Sequence, residues 1–151
     1  MILSTIVTIL SCLALGFLAN IAQGLLGTNY LHKFLYENLI VLLVALLAIN
    51  SATMGIVLTK LRDLISLGNG EETFSESRRQ MLHSIHEQIC LIIFGVIFLV
   101  LKNSNYVEGI GGVKQTIDAG INGIFFYALW ILYDTAKGVL IIVDYDSENG
   151  S

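Results

Sequence analysis

Residues 38–59 read NLIVLLVALLAINSATMGIVLT, which is 22 consecutive positions without Asp, Glu, Lys or Arg. An α-helix rises 1.5 Å per residue, so about 20 apolar residues cross the roughly 30 Å hydrocarbon core of a bilayer. Proline, which interrupts helices, is absent from all 151 residues. This stretch therefore predicts a membrane-spanning helix, around which the rest of the chain is divided.

Three further apolar segments accompany it. Residues 2–26 belong to a long uncharged run and lack the basic amino-terminal region of a cleaved signal peptide, so we interpret them as a span. Residues 84–102 and 119–143 supply the third and fourth spans, and residues 144–151 form an acidic tail. The sequence thus predicts an all-α, polytopic integral membrane protein made of a single domain with four transmembrane helices.

The composition agrees with a chain that is embedded in a lipid bilayer. Hydrophobic residues make up 55% of the chain and charged residues 13%, about half the share in a soluble domain. The mean hydropathy is +0.76. The net charge of −4 argues against direct binding of nucleic acid, because no excess of basic residues is present to neutralise phosphates.

Basic residues near span ends predict the orientation of the chain. The link between the second and third spans, together with the end of the fourth, holds five: Lys60, Arg62, Arg78, Arg79 and Lys137. The two other links hold three: Lys33, Lys102 and Lys114. Because cytoplasmic loops carry the excess, both termini are predicted to be cytoplasmic. Lys102 is expected to snorkel to the lipid headgroups.

The link between the second and third spans is expected to be partly helical. Apolar residues continue past residue 59 until Gly68-Asn69-Gly70, and Thr73 with Glu76 fits a capping box that restarts a helix near Phe74. Helices of about 30 residues are roughly 45 Å long and outreach the bilayer core. We therefore predict a helical hairpin that projects into the cytoplasm, with an ordinary solvated loop as the alternative.

The predicted hairpin offers a surface for a soluble cytoplasmic protein partner. Its candidate docking residues are Arg62, Asp63, Arg78, Arg79 and Glu87.

Small residues mark a helix-packing face on the second span. Ala45, Ala48, Ala52 and Gly55 are spaced 3, 4 and 3 residues apart, so they share one side of a helix. Because interfaces between helices in lipid are rich in small residues, this face predicts packing against a second helix and a homo-oligomer. Asn50 lies off that line, where it can contribute to a second contact.

The fourth span carries a polar stripe at helical spacing. Gly120 and Gly123 lead into Tyr127, Trp130, Asp134 and Lys137. One interpretation is a proton- or ion-responsive site in a water-filled cavity between subunits. The other is that Lys137 marks the cytoplasmic boundary and that the aromatic residues anchor the span there.

Features of enzymes and of metal or cofactor sites are weak. His83, His86 and Glu87 share one helix face without a familiar zinc spacing, so a solvated or pH-sensing face is the simpler interpretation. Cys12 and Cys90 lie in apolar segments. We therefore expect a non-enzymatic protein without a catalytic residue, metal or cofactor.

Three functions follow: a membrane subunit that anchors or regulates a soluble effector, an ion- or proton-responsive pore or channel, and a bacteriocin immunity protein. By its size, four-span hydropathy, short outer loops and basic inner hairpin, the chain resembles the membrane subunit of the Kiwa-type bacterial anti-phage system. The resemblance implies a membrane sensor that assembles as an oligomer and works with a cytoplasmic, DNA-associated effector. Bacteriocin immunity proteins match much of the same outline.

Overall fold

The described residues form four long helices. The structure is a computed structural model that describes the backbone of residues 2–66, 71–104 and 111–149 and the side chains of residues 5–60, 62, 78–104 and 112–139. The helices are α1 (Ile2–Leu25), α2 (Tyr30–Ser66), α3 (Glu71–Lys102) and α4 (Gly111–Asn149). All four contain a segment long and apolar enough to cross a membrane, which confirms the predicted number of such helices.

Cross-contacts show that helices adjacent along the chain run antiparallel, as do α1 and α4. Near one end of α1 the amide of Asn20 donates to the Gln115 carbonyl of α4, and further along Gly16 lies against Ala119. The contacts between α2 and α3, and those between α3 and α4, likewise join the end of one helix to the start of the other. One end of the bundle therefore collects the end of α1, the start of α2, the end of α3 and the start of α4. We name it the α1–α2 end, and the opposite end the α2–α3 end.

A left-handed glycine allows the tight turn between α1 and α2. Gly27 has a φ of +62°, and the N–H groups of Gly27 and Thr28 donate to the carbonyls of Gly24 and Gln23. This is the Schellman arrangement, in which a residue without a Cβ adopts the left-handed conformation and satisfies the last helical carbonyls. Consequently only residues 26–29 separate the two helices.

The core lies mainly between α2 and α4. Leu35, Leu39 and Leu43 of α2 pack with Ile121 and other apolar residues of α4, while α3 covers one side. Lys33 and Glu37 are exposed on the other side of α2. Because charges on the outer side do not prevent a helix, α2 begins at Tyr30, eight residues before the uncharged run from which it was predicted.

Close backbone packing joins α1 to α4. A Cβ built on Gly16 would lie 2.4 Å from the backbone oxygen of Ala119 and 2.7 Å from the backbone nitrogen of Gly123. The amide of buried Asn122 donates to the Gly16 carbonyl at 3.4 Å. We call the contact of Gly16 with Gly123 the glycine seam, because only a residue without a side chain permits this approach.

One predicted boundary was wrong. The helix expected to restart near Phe74 begins at Glu71, where the acidic residues 71 and 72 favour the positive end of a helix. The side chains of the predicted capping box and of the acidic tail, and the backbone of residues 67–70, lie outside the described residues.

Candidate functional sites at the two ends of the bundle

A polar cavity opens at the α1–α2 end. Its volume is about 600 Å³, and side chains from all four helices line it. Among the described residues, its charged members are Lys33, Lys102, Lys114 and Asp118, so ammonium groups outnumber the carboxylate. We call this cavity the basic pocket.

A buried carboxylate is at the centre of the basic pocket. Oδ1 of Asp118 lies 3.1 Å from Nζ of Lys102 and 3.1 Å from Nε2 of His32. The side chains of Asp118 and Lys102 are each only 11% exposed. The ammonium and the imidazole also contact each other. Because a buried carboxylate is costly unless it is paired, this contact joins α2, α3 and α4 at one point.

Further polar contacts hold this network in position. The backbone N–H of His32 donates to Oε1 of Gln23 at 3.0 Å, which connects α2 to the end of α1. The ammonium of Lys102 lies 4.7 Å from the centre of the Tyr36 ring, at a distance suited to a cation–π contact. The Tyr36 hydroxyl donates to the Asn103 side chain at 3.4 Å. Both partners of Asp118 are thus held by neighbours of their own.

The position of Lys102 corrects the sequence interpretation. Its side chain does not snorkel outward but turns into the bundle, because the carboxylate of Asp118 offers a partner there. The pattern within one helix could not reveal this network, since its residues come from three helices and are up to 86 positions apart. The sequence did carry one signal of this ion pair. Asp118 lies just before the fourth apolar segment, and Lys102 ends the third.

A second polar site, which we call the polar cleft, lies toward the α2–α3 end. It has a volume of about 400 Å³ between α1, α3 and α4. Its principal charged and aromatic residues are Arg79, His83, Glu87, Tyr127, Trp130 and Asp134. Nδ1 of His83 lies 3.4 Å from Oε1 of Glu87, and the Glu87 carboxylate also hydrogen-bonds to Tyr127. The polar cleft therefore holds side chains of both charges.

The polar cleft combines residues from two separate predictions. Tyr127, Trp130 and Asp134 come from the polar stripe, and Arg79 and Glu87 come from the predicted docking surface. They meet because α3 and α4 run antiparallel, which brings residues 79–87 of one beside residues 127–134 of the other. Glu87 consequently points between helices and not only toward solvent.

Other predicted site residues lie outside the polar cleft. Arg62, Arg78 and Lys137 are exposed, and the side chain of Asp63 lies outside the described residues. Within the part of the chain that is described, Lys137 makes no ion pair with Asp134. The residues of the predicted polar stripe therefore lie in two environments. Gly123 packs against α1, whereas Tyr127, Trp130 and Asp134 line the polar cleft.

The small-residue face of α2, formed by Ala45, Ala48, Ala52 and Gly55, is exposed along its length. A Cβ built on Gly55 would meet nothing within 4 Å. The opposite side of the same helix is buried and includes Asn50, whose side chain is inaccessible to solvent. This face is thus directed away from the bundle core.

Comparison of the chain with protein-family models, curated proteins and solved structures finds no match.

Proposed function

We propose that the protein is an integral membrane protein that crosses a bacterial plasma membrane four times, with both termini in the cytoplasm. In support, the outer surface of the four helices is rich in exposed aliphatic side chains, such as Leu10 at 61%, Val41 at 69% and Ile56 at 66%. Contiguous apolar surface is stable against lipid chains but not against water. The five basic residues near the α2–α3 end and the termini favour the cytoplasm for that side.

Its function, on this proposal, is that of a non-enzymatic, homo-oligomeric subunit that anchors and regulates a soluble cytoplasmic effector. The outline resemblance extends the proposal to a membrane sensor in bacterial anti-phage defence. The observation that carries it is the polar cleft, where residues of both charges from α3 and α4 are accessible at the predicted cytoplasmic side. A protein partner with complementary charges can be recognised there.

The length of the helices supports the same proposal. α2, α3 and α4 have 37, 32 and 39 residues, against 24 in α1. At 1.5 Å per residue the three longer helices extend about 48–58 Å, which exceeds the bilayer core by roughly 20 Å or more. Since all four helices meet near the α1–α2 end, the extra length supports a cytoplasmic extension that carries Arg62 and Arg78.

Charge reversal tests the proposed docking surface. In the double variant Arg78→Glu/Arg79→Glu, we expect co-purification with the soluble product of a neighbouring gene to fall at least tenfold, because two favourable charges become repulsive. Lys114→Glu, an exposed substitution at the opposite end, is the matched control and should leave co-purification unchanged. Equal retention in both variants, or equal loss, would contradict the proposal.

An ion-responsive channel is the second candidate, and the exposure of Asp134 to the polar cleft near Glu87 favours it. Carboxylates beside a water-accessible cleft can attract cations. The protein reconstituted in liposomes should then conduct ions, and Asp134→Asn should change that conductance while Lys137→Gln does not. Absence of conductance in the unmodified protein would eliminate this candidate without affecting the first.

A further inference from the structure

The basic pocket brings together three ammonium groups that are distant in the sequence. Lys33 belongs to α2, Lys102 to α3 and Lys114 to α4, and all three line one cavity of about 600 Å³. Like charges repel one another, so such a convergence costs free energy unless an anion occupies the space between them.

Asp118 offsets only part of this charge. Its carboxylate pairs with Lys102 and His32, both largely buried. Lys33 and Lys114 are exposed, and neither has an ion-pair partner among the described residues. Two positive charges at the rim of the pocket are thus left for a ligand.

The helix geometry at this end adds positive potential. α2 begins at Tyr30 and α4 begins at Gly111, so two helix starts lie beside the pocket. The N–H groups of Tyr30, His32 and Lys33 already donate to Thr28, Gln23 and Asn29, so the contribution of these helix starts is the positive end of each helix dipole, which favours a nearby anion. Three side-chain amides also line the cavity. Those of Asn20 and Gln23 donate to the backbone carbonyls of Gln115 and Ala19, whereas the amide of Gln115 can donate to an oxygen of a bound anion.

The ligand class follows from the position and size of the pocket. Lys102 ends an apolar segment, so on the proposed membrane insertion the pocket lies at the depth where lipid headgroups meet the helix ends. Groups of lysine side chains and the N-termini of helices both bind phosphate groups well. We infer that the basic pocket binds the phosphate group of an anionic ligand, carried by the headgroup of an anionic phospholipid or present as free phosphate. The inference rests on the proposed membrane insertion but is independent of the proposed cytoplasmic partner.

Calorimetric titration of the purified full-length protein in detergent tests this inference. The probes are inorganic phosphate, short-chain phosphatidylglycerol and short-chain phosphatidylcholine, which shares the acyl chains but has no net charge. We expect phosphate or phosphatidylglycerol to bind at least tenfold more tightly than phosphatidylcholine. The double variant Lys33→Gln/Lys114→Gln should weaken that binding at least tenfold, whereas Lys137→Gln at the opposite end should leave it unchanged.

The outcomes separate the two sources of phosphate. Binding of both anionic probes identifies the phosphate group itself as the recognised element, and binding of phosphatidylglycerol alone identifies an anionic lipid. Binding of inorganic phosphate alone identifies a soluble ligand. Equal binding of phosphatidylglycerol and phosphatidylcholine without binding of phosphate, or unchanged binding in the double variant, would overturn the inference. Because Lys33 and Lys114 are exposed, the double variant is expected to fold, and its thermal unfolding should match that of the unmodified protein.

Discussion

The glycine seam between α1 and α4 and the small-residue face of α2 are both built from small side chains, but their surroundings differ. At the glycine seam, Gly16 and Gly123 allow two backbones to touch. On α2, a Cβ added to Gly55 would meet nothing within 4 Å, and the three alanines of that face are exposed. Small residues permit close approach in lipid but do not by themselves supply a partner. The comparison shows that α1 uses its seam within one chain, whereas the small-residue face of α2 contacts no other helix among the described residues.

The largest expected effect comes from filling the glycine seam. Gly16→Ala places a methyl group against the Ala119 carbonyl, so the helices must separate, and we expect a loss of about 2–3 kcal/mol of folding free energy. Gly24→Ala, in the same helix, is the control, because its added Cβ meets nothing within 4 Å. Unfolding in detergent mixtures, followed by circular dichroism, measures both. Equal stability of the two variants would show that the seam does not constrain the fold.

Enlarging the face of α2 should affect association more than folding. Ala48→Leu/Ala52→Leu places two bulky side chains where a second copy is proposed to pack, and we expect the dissociation constant of the homo-oligomer to rise about tenfold, or ~1.4 kcal/mol. The matched control is Ala14→Leu/Ala22→Leu on the exposed surface of α1. Mass measurement by light scattering over a dilution series distinguishes them. An oligomer that is equally stable in both variants would leave the α2 face without its proposed role.

The smallest expected effect concerns the hydrogen bond that crosses the glycine seam. Asn122→Cys removes the amide donor to the Gly16 carbonyl and keeps nearly the same residue volume. Hydrogen bonds between helices in membranes contribute about 0.6 kcal/mol on average, so the same unfolding measurement should show a loss well below that of Gly16→Ala. A loss as large as that of Gly16→Ala would mean that the hydrogen bond, and not the close backbone approach, holds α1 to α4.

Sequence patterns predicted which segments are helical better than they predicted where each helix begins and ends. The uncharged run of residues 38–59 identified α2, but the helix begins earlier, at Tyr30, because Lys33 and Glu37 are exposed while Leu35 and Leu39 continue the buried stripe. A count of charges cannot separate the two faces of a helix. The side on which each residue lies has to be known first.

The two polar sites were not equally predictable. Spacing along α4 identified Tyr127, Trp130 and Asp134 as one face, and the structure adds that Arg79 and Glu87 lie opposite them. The basic pocket was missed, because Lys102 and Asp118 belong to different helices and neither forms a motif with its neighbours.

The order of residues along the chain was sufficient to determine the number of helices, their apolar character and the face on which the small residues of α2 lie, since helical periodicity and hydrophobicity are local properties. The tertiary structure alone decided that Gly16 meets Gly123, that Lys102 turns inward and that Asp118 joins three helices. Those contacts depend on how antiparallel helices are aligned and rotated against one another. That alignment results from the packing of the whole bundle, and no single segment of the sequence contains it.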